Sequence, residues 1–210
     1  MMRPESVVCV IDDDEAVRES LEFLLKTVGI SVRTFESAKQ FLQALPEINS
    51  GCVVTDVRMP ETSGIDLLRH LKRLNVGLPV IVITGHGDVA LAVEAMKIGA
   101  IDFLEKPFDD DHLLTTVRTA LQKDALAARH NAEVAEVQNK LACLSTRERQ
   151  VLEGLVAGKA NKVIAFGLGI SPRTVEIYRA NVMTKMAANS LSDLVRIAIT
   201  AGILPRFGNN

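Results

Sequence analysis

The sequence predicts an α/β domain built on a five-stranded parallel sheet wound on both faces, followed by a small all-α domain. Three observations carry this expectation. Short apolar, β-branched runs alternate with amphipathic stretches through residues 5 to 122; a stretch without Gly or Pro runs from Asp109 to Glu153; and the net charge changes sign between the two halves. The first half holds 12 Lys and Arg against 19 Asp and Glu, the second (residues 123 to 210) 12 against 7. An acidic module followed by a basic one suggests cation binding for the first and nucleic acid for the second.

The strand-like runs are VVCVID (7 to 12), SVRTF (31 to 35), GCVVTD (51 to 56), PVIVIT (79 to 84) and DFLEK (102 to 106). Between them lie helical periodicities such as Val17, Leu21, Leu24, Leu25, Val28 and Ile65, Leu67, Leu68, Leu71, Leu74. Such alternation implies βαβ units, and we expect a doubly wound sheet of order 2-1-3-4-5 over residues 5 to 122. Residues 123 to 140, QKDALAARHNAEVAEVQNK with its preceding Gln, are good helix formers and predict a helical linker that continues the last helix of the first domain.

From residue 141 to 206 the pattern is wholly helical. Ser145 and Glu148 form a capping box opening a helix through Leu152, Leu155 and Val156 that stops at Gly158. A short helix from Asn161 to Phe166 meets GLGI, and Ser171-Pro172 restart the chain as N-cap and first helical residue. Short helix, tight turn and N-capped helix make a helix-turn-helix, and a fourth helix near Leu191 to Ala201 closes the bundle.

With 48% apolar residues the 210-residue chain is too apolar for disorder and long enough for two cores. No run approaches the roughly 18 apolar residues of a membrane span, and MMRPESVVCVIDDDE lacks the apolar core and cleavage site of a signal peptide, so the expected location is the cytoplasm. Cys9, Cys52 and Cys143 are odd in number and lack C-x-x-C spacing, which disfavours disulfides and zinc.

Doubly wound sheets gather the residues at the carboxyl ends of their strands. Here those ends carry Asp12, Asp13, Asp56, Thr84 and Lys106. Clustered carboxylates call for a hard cation, and Mg²⁺ prefers one or two carboxylates with water and phosphate oxygens. With Lys106 also positive, the natural visitor is a phosphoryl group, and Asp56 is placed to attack it and form an acyl phosphate, with Thr84 as a hydrogen-bond donor to it.

The set DDD, DVRMPETSG, TGHGD and EKPF resembles, in order and spacing, the receiver domain of bacterial two-component response regulators, a flavodoxin-like fold. The resemblance implies Asp56 as phosphoacceptor, Asp12, Asp13 and Asp56 with the Arg58 backbone carbonyl as ligands of Mg²⁺ (Mn²⁺ as a substitute), Lys106 as the phosphoryl partner before a cis Pro107, and Thr84 as the hydroxyl switch. Phe103 falls where the family keeps a rotating aromatic, and it equally suits a packing role. Gly85 and Gly87 flank His86 and give that loop freedom to move. In the family the face of helix 4 and strand 5 is the dimer interface, which implies contacts by Val89, Leu91, Ala92, Lys97, Asp102 and Glu105.

Residues 141 to 203 resemble the LuxR/NarL-type helix-turn-helix domains, with Tyr178 where the family often has His and Glu176 where it often has Lys. The expected recognition helix is Pro172 to Met186, and candidate DNA contacts are Lys159, Asn161, Lys162, Arg173, Thr174, Val175, Glu176, Arg179 and Lys185. Val175 also belongs, with Val182 and Met186, to the apolar stripe that faces the bundle. The combined resemblance implies a phosphorylation-switched transcriptional activator that is not an enzyme, with a histidine kinase, promoter DNA, RNA polymerase and a second copy of itself as partners. An aspartyl-phosphate phosphohydrolase is the alternative, but Asp56 is followed by Val57 and Arg58 rather than the D-x-D of that class, and no cap insertion is present. A metal-binding adaptor without DNA binding is countered by the basic helix-turn-helix.

Overall fold

The computed structural model describes residues 6–85, 89–200 and 202–203. Its contacts divide between Ala128 and Arg129 into two compact units. The first unit contains β1 (Val7–Ile11), α1 (Glu15–Thr27), β2 (Ser31–Phe35), α2 (Ala38–Ala44), a 3₁₀ turn (Leu45–Glu47), β3 (Gly51–Asp56), α3 (Gly64–Arg73), β4 (Val80–Thr84), α4 (Val89–Ile98), β5 (Asp102–Glu105) and the start of α5 (Asp110–Ala142). The sheet order is β2-β1-β3-β4-β5 and every pair is parallel, as the alternation of runs predicts.

Alternate strand residues serve opposite faces, as the period of two requires. Cys9, Ile11, Val53 and Val82 join Phe41, Leu67 and Leu71 on one side. Val8, Val10, Cys52, Val54, Ile81 and Ile83 join Leu21, Leu25, Leu113 and Val117 on the other. All six residues of β3 are buried, which fits a central strand covered on both sides. At its start Gly51 has φ 142°, and a Cβ there would lie 1.8 Å from the Val7 carbonyl oxygen, so only glycine fits. The helices are stopped and started by local chemistry: Asp14, Ser37 and Ser63 accept from the amides of Ala16, Gln40 and Asp66. Val28 and Leu74, expected on the buried stripes, are exposed, because each is the C-cap residue where the chain leaves the helix.

The buried thiols of Cys9 and Cys52 are pushed up by desolvation to about 11 and about 12, and Cys143 is exposed; none is in a disulfide. No helix among the described residues is long and apolar enough to cross a membrane.

The second unit holds the end of α5 with α6 (Thr146–Val156), α7 (Asn161–Leu168), α8 (Pro172–Lys185) and α9 (Leu191–Thr200). The Ser145–Glu148 capping box forms, α7 ends on Gly169 at φ 65°, and Ser171 caps α8 with Pro172 in its first turn. Ala201, in the expected fourth helix, lies outside the described residues.

The helix α5, Asp110–Ala142, covers the expected linker as one element. Each end belongs to a core. Asp124 accepts from Ser50 Oγ (2.8 Å) and Gly51 N (2.9 Å) at the amino end of β3. Val137 and Leu141 are buried with Leu152, Val175, Val182 and Met186 in the second unit. The expected linker therefore contributes anchors to both units, and residues 125–133 between them are exposed. Leu141→Ala should weaken the second unit by ~2–4 kcal/mol through the cavity it leaves. In calorimetry this is expected as a lowered second transition with the first unchanged.

Candidate functional site

The parallel register pairs Ile11 with Thr55 and Asp56 with Ile83, so the residues that follow β1 and end β3 are neighbours. Asp12 and Asp56 are both buried. Lys106, reached after β5, places Nζ 2.8 Å from Asp12 Oδ2 and 2.8 Å from Asp56 Oδ1. The remaining carboxylate oxygens are also engaged: Asp12 Oδ1 accepts from Asp14 N at 2.9 Å and Asp56 Oδ2 from Arg58 N at 2.6 Å. Arg18 donates to the Asp12 carbonyl at 2.8 Å, tying α1 to the same edge.

Gly64 opens α3 directly under the site. A Cβ there would lie 2.2 Å from the Asp56 carbonyl oxygen, so any side chain would push the backbone of Asp56. Thr84 is buried at the end of β4, and its carbonyl accepts from Lys106 N at 2.7 Å. The Lys106-Pro107 bond is cis.

Asp13 is exposed, and its carboxylate is not gathered with the other two: no group of three His, Cys, Asp or Glu close enough to hold a metal occurs among the described residues. The donor set still suits Mg²⁺, which takes one or two carboxylates and keeps several waters. Phe103 is half-buried and packs against the core cluster that holds Val82, Leu67 and Ala95. Gly85 is exposed; His86, Gly87 and Asp88 lie outside the described residues.

On the α4 and β5 face, Val89, Lys97 and Glu105 are exposed, while Leu91, Ala92 and Asp102 are half-buried. Asp102 accepts from Phe103 N (2.9 Å) and from Thr116 Oγ1 (3.1 Å). Sequence reading missed Val93 and Met96, which are exposed and follow Val89 at helical spacing to make an apolar stripe. In VALAVEAMKI nearly every residue is apolar, so no period marks the outer face.

In the second unit Lys159, Lys162, Arg173 and Glu176 are exposed and Asn161, Thr174 and Arg179 half-buried. Thr174 donates its amide to Ser171 Oγ at 3.1 Å. Two candidates behave differently. Val175 is fully buried in the helical core, so it is corrected from DNA contact to packing residue. Lys185 places Nζ 2.7 Å from Glu148 Oε2 and 3.3 Å from the Cys143 carbonyl. Ile177 was missed; it is 58% exposed on α8, and the signal was an apolar residue off the stripe of Val175, Val182 and Met186.

Comparison with known proteins follows the same division. The family model described as response regulator receiver domain matches residues 8–118, and that of bacterial regulatory proteins of the luxR family matches residues 142–198. The chain belongs to the two-component response regulators, joining a receiver to a LuxR-type DNA-binding domain, and is a transcription regulator rather than an enzyme. Within that class it is similar to FixJ. The transcriptional regulatory protein FixJ of Azorhizobium caulinodans is 59% identical over 203 residues, with 96% of each chain covered. That of Bradyrhizobium diazoefficiens is 54% identical, over 97% of this chain and 99% of the relative. The crystal structure of full-length FixJ from B. japonicum is 54% identical and covers 96% of this chain and 100% of its own, with a TM-score of 0.59.

Burial pushes the Lys106 pKa down, but hydrogen bonds and charge from Asp12 and Asp56 outweigh it and hold the ammonium above the usual lysine value of 10.5. A raised lysine pKa contributes stability that is fully present below the unfolded value and is lost as pH rises through the folded one. The gap in urea midpoint between wild type and Lys106→Met is therefore expected to stay constant from about pH 7 to about pH 10 and to close above that.

Proposed function

We propose that this chain is a phosphorylation-switched activator in which Asp56 accepts a phosphoryl group from a histidine kinase. The observation that carries this reading is the single ammonium of Lys106 held between two buried carboxylates at the carboxyl edge of the sheet. An oxygen of Asp56 attacks phosphorus of the kinase phosphohistidine; the P–N bond breaks, the imidazole leaves, and an acyl phosphate forms. Lys106 then exchanges its bond to Asp56 for one to a phosphoryl oxygen while keeping Asp12. Asp12, Asp56 and the Arg58 carbonyl, joined by Asp13 from its exposed position, would hold Mg²⁺ or Mn²⁺, which would supply charge neutralisation of the phosphoryl oxygens.

Thr84 turning toward the new phosphoryl group gives Phe103 room to move and reshapes the α4 and β5 face, promoting a homodimer there. One helix-turn-helix reads few base pairs, so paired half-sites require two copies. Promoter binding by α8 and recruitment of RNA polymerase follow, in the cytoplasm. The likeness to FixJ supports targets among nitrogen-fixation and microaerobic genes and a FixL-like, haem-based oxygen-sensing kinase.

Wild type and Asp56→Asn, each with Mg²⁺ and acetyl phosphate, test the reading by sedimentation and promoter binding. Wild type is expected to gain mass to a dimer and to bind DNA at least about tenfold tighter. Asp56→Asn should do neither, and an equal response from both would defeat the proposal.

A further inference from the structure

Lys185 is a cation on the helix that reads DNA, and its chemistry invites a phosphate partner. The structure gives it another. Glu148 is 3% exposed, and its Oε2 accepts from Ser145 N at 2.8 Å as well as from Lys185 Nζ at 2.7 Å. The Lys185 ammonium, then the Ser145 amide, hold this carboxyl down at about 2. Lys185 is the cation in ion-pair contact with Glu148 among the described residues. A buried carboxylate stripped of its cation is costly, so an excursion of Lys185 to a phosphate would leave an unpaired charge behind.

The contact joins three elements of one domain: the last turn of α8, the first turn of α6, and the carbonyl of Cys143 just past α5. Val175, Val182 and Met186 seat the inner face of α8 in the core, and the ion pair adds a directional contact at its last turn. With 14 residues, α8 is about 21 Å long. A tilt of about ten degrees around its middle moves the helix end at Pro172, beside Arg173, by about 2 Å, more than the spread of a good hydrogen-bond length.

We propose that Lys185 is a positioning residue for DNA readout, fixing the angle of the recognition helix through Glu148, and that it neutralises no DNA phosphate. The inference uses the DNA-binding class of the chain and not the phosphorylation reading.

The test titrates the full chain, with acetyl phosphate present throughout, onto two duplexes over a salt series. One is selected by the wild-type chain from a random-sequence pool, and the other is an unrelated sequence. Lys185→Met should bind the selected duplex about tenfold or more weakly while its affinity for the unrelated duplex and its salt slope stay at the wild-type values. Glu148→Gln should reproduce that pattern and Lys185→Arg should restore selectivity. Circular dichroism establishes that each variant is folded, with Lys185→Gln replacing the Met variant if that one is not. A slope shallower by about 0.9, with both duplexes weakened alike, makes Lys185 a phosphate contact and overturns the proposal. A folded variant with a lower melting temperature but wild-type affinity and selectivity overturns it too, since that is the signature of a purely structural bridge.

Discussion

The receiver is organised around one ammonium shared by two carboxylates. Asp12 and Asp56 end adjacent strands and are buried side by side, an arrangement that repels itself unless a cation sits against it. The sheet order puts β4 between β3 and the strand from which Lys106 comes. The ammonium must therefore cross the end of β4, where the chain has the small residue Thr84. A long, flexible stem ending in a compact charge suits that span. The same edge receives Arg18 from α1 and the close approach of Gly64 from α3, so the surrounding helices are fixed by the site as much as by their apolar faces.

The DNA-binding domain uses a similar device at smaller scale. Its core is apolar and helical, and one ion pair, between buried Glu148 and exposed Lys185, adds a directional contact to that packing. The end of α5 is part of this domain through Val137 and Leu141, so the connecting helix is an ingredient of the fold it leads to.

The strands were legible because β-branched runs are short and bounded, and the helix-turn-helix because Ser145, Glu148, Ser171 and Pro172 act locally. The convergence of Asp12, Asp56 and Lys106 was legible from topology alone, since strand ends meet wherever the order is 2-1-3-4-5. Other features depend on tertiary geometry. Lys185 looks in sequence like any solvated cation, and its partner lies 37 positions away. Asp124 reads as a helix-surface charge until its bonds to Ser50 and Gly51 are seen. Val175 carried two conflicting signals, its groove-facing turn and its apolar period, and burial decided for the second.

The hydrogen bond from Lys106 N to the Thr84 carbonyl has a further consequence. The hydroxyl and the ammonium assigned to sense the phosphoryl group sit on backbone segments locked together at 2.7 Å. They form a single mechanical coordinate: a displacement at the end of β4 is inherited by the peptide that carries Lys106. In the proposed response to a phosphoryl group the two would move in step, as two handles of one switch.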